Sequence, residues 1–162
     1  MSRPAATRVT GFTFIELIVT LAIMGVMATV AVPLAQLTMQ RQKERDLRTA
    51  LAEIREGLDA YKRAADQGRI VAKLGESGYP KTLEQLVDGV EDQRSPARQK
   101  MYFLRRLPRD PMSADLVVAP ADSWGVRSYA SPADQPEEGA DVFDVYSRSD
   151  KQGLNGVLYR KW

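Results

Sequence analysis

Two residue types are missing from this chain of 162: cysteine and histidine. Without cysteine there is no disulfide framework, no thiol nucleophile and no thiolate metal site. Without histidine, His-based catalytic triads and imidazole zinc sites are excluded as well. An excess of charge of one sign is also lacking. The 23 Lys and Arg face 21 Asp and Glu, and a net charge of +2 gives no reason to expect nucleic acid as a partner. Two of the basic residues, Arg3 and Arg8, precede Gly11, and beyond that glycine the two signs balance. Aromatic residues are only 7% of the chain, but hydrophobic residues reach 44%, enough for a modest core. The length suits an anchor plus one domain.

The dominant feature is an apolar run. From Leu17 to Gln40 no residue is charged. As a helix this run spans about 36 Å at ~1.5 Å per residue, against a hydrocarbon thickness of ~30 Å. A cleaved secretory signal has an apolar stretch of about 7–15 residues with a small-residue cut site after it, and this run is too long for that. Basic residues flank both ends, Arg3 and Arg8 before it and Arg41, Lys43, Arg45 and Arg48 after it, so charge bias leaves the orientation open.

Glu16 stands at the entrance to the run. In the headgroup region it costs little. Deeper in the bilayer a carboxylate costs roughly 2.5–3.5 kcal/mol and calls for a partner. Pro33 removes one helix hydrogen bond, which membrane helices tolerate. Gly25, with Ala22, Ala28 and Ala31 around it, offers a surface on which another helix could approach closely.

The stretch Gly11-Phe12-Thr13-Phe14-Ile15-Glu16-Leu17-Ile18-Val19 resembles the class III signal of type IV pilins and type II secretion pseudopilins. The resemblance implies a leader, residues 1–11, removed after Gly11 by a prepilin peptidase that also methylates the new N-terminus at Phe12. Glu16 then becomes the fifth mature residue. Gly25 and Pro33 fall at the two helix-weakening positions of the pilin helix, which implies a segment that loosens on assembly. Residues 12–40 become the membrane-spanning and filament-core half of the helix, and residues 41–162 a periplasmic globular domain. In such filaments the N-terminal helices bundle in the core. The α-ammonium of Phe12, buried among apolar helices, then needs a counter-charge. Glu16 of a neighbouring subunit would supply it and fix the axial register. The partners implied are further copies of the chain, minor pseudopilins, the prepilin peptidase, an inner-membrane platform protein, an assembly ATPase, and membrane lipid before assembly. The setting implied is the bacterial inner membrane.

Beyond the membrane, Leu47, Leu51, Ile54, Leu58, Tyr61 and Ala65 recur at spacings of 4, 3, 4, 3 and 4, one apolar face of an amphipathic helix. The opposite face carries Arg48, Glu53, Arg55, Glu56, Asp59, Lys62 and Arg63, read as solvated, and the helix is expected to end near Gln67-Gly68. Thr82 and Gln85 have capping-box spacing, predicting a short helix to about Asp88. Residues 89–100 read as polar and irregular, and Asp110-Pro111 as a turn. Strands are expected at 124–130, 142–147 and 157–162, with Tyr129, Phe143, Tyr146, Tyr159 and Trp162 in the core. The fold class expected is α+β, of type IV pilin-like form: a long N-terminal helix packed on an antiparallel sheet of about three strands.

Two phrases, Tyr79-Pro80-Lys81-Thr82-Leu83 and Asp144-Val145-Tyr146-Ser147-Arg148-Ser149-Asp150, are similar to segments of G-type pseudopilins, the major subunits of type II secretion systems. That family often binds calcium just after the second phrase. The resemblance implies Asp150 as a ligand, with carbonyls around Ser147 and the Asn155 side chain. The sequence departs from the pattern here, since the acidic residues expected further along are replaced by Gln152-Gly153-Leu154-Asn155-Gly156. The function implied is a structural subunit of a short periplasmic filament that pushes substrates through a secretin. A type IV pilin or minor pilin of a surface pilus is the alternative, although the C-terminal cysteine pair common there is absent. An anchored enzyme is disfavoured, because the carboxylate pairs Asp141/Asp144 and Asp110/Asp115 read as turn and edge residues.

Overall fold

The structure, a computed structural model, describes residues 11–73, 75–115 and 117–162, residue 30 by its backbone alone. Residues 1–10, which include Arg3 and Arg8 and most of the expected leader, lie outside the described residues. The chain divides into two compact units, one through Gln40 and one from Arg41 to Trp162.

Helix α1 runs from Phe14 to Asp66 and continues through Gly25 and Pro33. Its last turns form the floor of the core. Leu47, Leu51, Ile54, Leu58 and Tyr61 are all buried, as their spacing predicts, with Ala64 buried and Ala65 partly so. Gly57 lies on the same helix where Leu104 crosses it, and a Cβ there would stand 3.1 Å from Leu104 Cγ. The helix stops in a Schellman turn. Gly68 takes φ +68°, its N–H donates to Ala65 O at 2.8 Å, and the Arg69 N–H donates to Ala64 O at 3.0 Å. The glycine supplies the left-handed step that a side chain would oppose.

The remaining elements cover that floor. Helix α2, Gln85–Asp88, buries Leu86. It is shorter than the capping-box spacing predicts, because Gln85 Oε1 accepts the N–H of Lys81 at 2.9 Å and Thr82–Glu84 stays a turn. Strands β1 (Val90–Glu91) and β2 (Lys100–Met101) pair antiparallel within the segment expected to be irregular. The hairpin is anchored from outside. Arg69 donates to Asp92 Oδ2 through Nε (3.0 Å) and Nη2 (2.5 Å), and Arg69 O accepts the Gln93 N–H at 2.8 Å.

Strands β3 (Trp124–Arg127) and β4 (Asp144–Ser147) pair antiparallel, with Gly125 opposite Tyr146 and Val126 opposite Val145. β3 ends three residues earlier than expected. Asp141 Oδ1 accepts the Ser128 hydroxyl (2.9 Å) and the Tyr129 N–H (2.8 Å), which draws the chain out of the ladder. Tyr129 consequently lies at the surface rather than in the core, stacked on Tyr79 at 6.0 Å and edge-on to Phe143 at 5.3 Å.

The third expected strand, 157–162, does not form. Only a single antiparallel bridge, Gln152 with Leu158, precedes a 3₁₀ turn at Tyr159–Lys161. A 3₁₀ turn sets residues i and i+3 on one side, and here that aims two rings at α1. Tyr159 and Trp162 meet edge-on at 5.1 Å, and Arg48 lies 4.5 Å above the Trp162 ring. Arg55, expected on a solvated face, holds the end of the chain instead. It donates to Asp144 Oδ1 (2.8 Å), Val145 O (3.2 Å) and Trp162 O (2.9 Å). The sheet component is thus two short antiparallel pairs among the described residues, and the α+β class stands.

Candidate functional site

The N-terminal segment is built for use outside its own chain. Gly11 and Phe12 are exposed and precede the helix. Thr13 caps the helix. Its Oγ1 accepts the Glu16 N–H at 3.3 Å, and its carbonyl accepts the Leu17 N–H at 3.2 Å. Thr13-x-x-Glu16 has capping-box spacing, and the Thr13 half of the box is formed. Glu16 lies in the first turn, where the helix dipole favours a negative charge. That effect makes the carboxylate tolerable at this end of the helix. It gives no reason for a charge to be placed in an apolar segment.

Around Glu16 the helix is apolar on every side. Phe14, Ile15, Leu17, Ile18, Val19, Leu21, Ile23 and Met24 are all exposed, and at 100° per residue they surround the helix axis apart from the strip that holds Glu16 and Thr20. Such a helix has no solvated face and needs an apolar surrounding. It is long and apolar enough to cross a membrane. Its hydroxyls are satisfied within the helix: Thr20 donates to Leu17 O (2.9 Å), Thr29 to Val26 O (2.7 Å) and Thr38 to Leu34 O (2.9 Å). No hydroxyl there is left seeking water, which suits burial in lipid or among other helices. A Cβ added at Gly25 would meet nothing within 4 Å, so its small size has no explanation within the chain. Close approach of another helix would explain it.

The C-terminal loop places the expected metal ligand differently. The Asp150 side chain is 89% exposed and lies 3.7 Å from the Arg160 guanidinium. Asn155 Oδ1 accepts the Val157 N–H at 3.0 Å, and Ser147 Oγ donates to Asp110 Oδ2 at 2.6 Å. Among the described residues no group of three or more Asp, Glu, His or Cys converges on one point. Calcium takes about six to eight oxygens, several of them carboxylate. The residues present do not fit it. What the loop does meet is Glu44, buried on α1, a residue absent from the expected sites. Glu44 precedes Leu47 by three positions and so continues the apolar stripe, which is the sequence signal that a charge there is turned inward.

Two carboxylates of the globular unit are held below the usual aspartate range. For Asp92 the cause is first the Arg69 hydrogen bonds and then the Arg94 N–H. For Asp141 partial burial works in the opposite direction, but bonds from Ser77 Oγ, the Tyr129 N–H and Ser128 outweigh it.

Comparison with known proteins agrees with this geometry. The prokaryotic N-terminal methylation motif matches residues 7–32, which span Gly11, Phe12, Glu16 and Gly25. The type II secretion system core protein G of Dickeya chrysanthemi is 27% identical over 155 residues, covering 90% of this chain and 94% of that protein. The core protein G of Vibrio cholerae is 28% identical over 134 residues (80% and 84%), and that of Escherichia coli K12 is 26% identical over 135 (81% and 86%). No solved structure gives a significant match. The chain thus carries the prokaryotic N-terminal methylation motif and is similar, over most of its length, to the core protein G of type II secretion systems.

Proposed function

We propose that this pseudopilin is cleaved between Gly11 and Phe12, methylated at the Phe12 nitrogen, and polymerised into a short periplasmic filament. The filament grows from the inner membrane and drives substrates of a type II secretion-like system through a secretin. Its role is structural and no chemistry is performed by the subunit. Residues 12–40 are the membrane-spanning and later filament-core segment, and residues 41–162 the periplasmic domain. The observation that carries this reading is a lone carboxylate, Glu16, four residues after the Gly11-Phe12 bond, on a helix apolar all round.

The physical logic is a matched pair. The α-ammonium of a cleaved Phe12 and the carboxylate of Glu16 are each costly in an apolar bundle. Removing one partner of a buried pair costs about 3–5 kcal/mol. Subunits stacked so that the Glu16 of one meets the Phe12 nitrogen of the next avoid that cost at one axial offset only. Glu16→Leu tests this. The variant is expected to insert in the membrane and to be cleaved, but to form filaments at roughly a hundredth of the wild-type level, as a loss of about 3 kcal/mol per contact implies. Wild-type filament yield from Glu16→Leu, measured by electron microscopy of filaments released from the periplasm, would remove the register role.

A further inference from the structure

In the loop from Arg148 to Val157, three carbonyls accept local backbone N–H groups. Lys151 O accepts the Tyr159 N–H (3.0 Å), Gly153 O the Gly156 N–H (2.9 Å) and Val157 O the Gly153 N–H (2.9 Å). Its one carboxylate, Asp150, faces outward beside Arg160. From the helix side Glu44 reaches the loop. Glu44 Oε1 takes the Leu154 N–H at 2.8 Å and the Tyr159 hydroxyl at 2.9 Å. These partners lie 110 and 115 residues away in sequence. One carboxylate thus ties the start of the amphipathic half of α1 to both the tip of the loop and the 3₁₀ turn that follows it.

We propose that Glu44 is the fastener of the C-terminal loop, in the role a divalent cation would otherwise fill, and that this loop folds without metal. A cation gathers oxygens and leaves N–H groups pointing away. A buried carboxylate does the reverse, drawing an N–H and an O–H inward. Hydrogen bonds to an ionised acceptor are about twice as strong as neutral ones, so one carboxylate can hold a loop. Arg160 beside Asp150 supports the same conclusion, because a guanidinium at that carboxylate repels a second cation. The inference rests on the globular unit alone, and its failure would leave the reading of Glu16 and Phe12 intact.

The test uses the full-length chain in detergent micelles, read by tryptophan fluorescence on heating. Trp162 reports on the loop through its contact with Tyr159. The wild type is expected to melt at the same temperature in ~1 mM calcium chloride and in excess chelator, because a ligand that does not bind the native state cannot stabilise it. Glu44→Ala is expected to melt several degrees lower and to be cut by trypsin after Lys151 about tenfold faster, equally with and without calcium. Glu44→Gln keeps an acceptor oxygen but loses the charge, and is expected to recover about half of both losses. Asp150→Ala is expected to match the wild type. A wild-type melt that drops by about 5 °C or more in chelator and returns with calcium would overturn the proposal. So would an Asp150→Ala variant as unstable as Glu44→Ala. Should Glu44→Ala fail to fold, the calcium and chelator melts of the wild type, with Glu44→Gln and Asp150→Ala, decide the question.

Discussion

Replacing Asp110 by alanine should destabilise the globular unit more than any other single change in its polar core. Asp110 is 2% exposed, and its partner Ser147 is fully buried. Oδ2 accepts the Ser147 hydroxyl at 2.6 Å and Oδ1 the Met112 N–H at 2.8 Å. Hydrogen bonds to a charged acceptor contribute about 1.5–3 kcal/mol each, and relief of the buried charge returns part of that. The expected net loss is about 3 kcal/mol. In a unit of this size that corresponds to a fall in Tm of about 10 °C. Ser147→Ala removes the donor, together with the longer bond that Ser147 Oγ accepts from the Ser149 N–H (3.2 Å), and should cost about 1–2 kcal/mol. The double variant should lose less than the sum of the two, by about 1–2 kcal/mol, because the shared bond is counted once. Trp124 is the natural reporter. It is fully buried, and its Nε1 donates to Pro108 O at 2.8 Å, two residues from Asp110. Thermal melts of the full-length chain followed by its fluorescence measure all three variants. The reasoning fails if Asp110→Ala costs less than about 0.5 kcal/mol, or if the two substitutions add within that margin.

The other expectations concern the core and acid. Ile54→Ala removes a side chain buried at the centre of the α1 floor and should cost about 2–5 kcal/mol by the same melts. Asp92 and Asp141 bind protons more weakly in the folded state than in the unfolded one. Their contribution is complete above the unfolded aspartate pKa of about 3.9 and is lost as pH falls through the lower folded values. Melts from pH 7 to 2 should therefore decline below about pH 5, and the gap between wild type and Asp141→Asn should narrow towards the acid end. A gap constant across that range would contradict the assignment.

How much of this was legible in the sequence depended on whether a pattern was local. The α1 floor followed from the spacing of Leu47 to Tyr61, and the stop at Gly68 from the glycine itself, because both are set within a few residues. β3 and β4 were visible in Trp124–Arg127 and Asp144–Ser147 for the same reason. The β1–β2 hairpin was not, since two-residue strands show no alternation and their pairing is imposed by Arg69 reaching Asp92. The aromatic-rich end was misread as a strand. Its rings are aligned by a 3₁₀ turn and captured by Arg48, Arg55 and Glu44, contacts more than a hundred residues apart. At the N-terminal segment, Gly11, Phe12 and Glu16 stand out by their order alone, within the stretch that the N-terminal methylation motif matches. The calcium expectation at Asp150 rested on one residue of a constellation whose other members are missing here.

The central claim is that the Gly11-Phe12 bond and Glu16 belong to a processed, assembling subunit. Its most direct test is the intact mass and N-terminal sequence of the chain after co-expression with a prepilin peptidase and purification from membranes. Loss of residues 1–11 with one added methyl group on a Phe12 N-terminus is the predicted result. A chain that still begins at Met1 would contradict it.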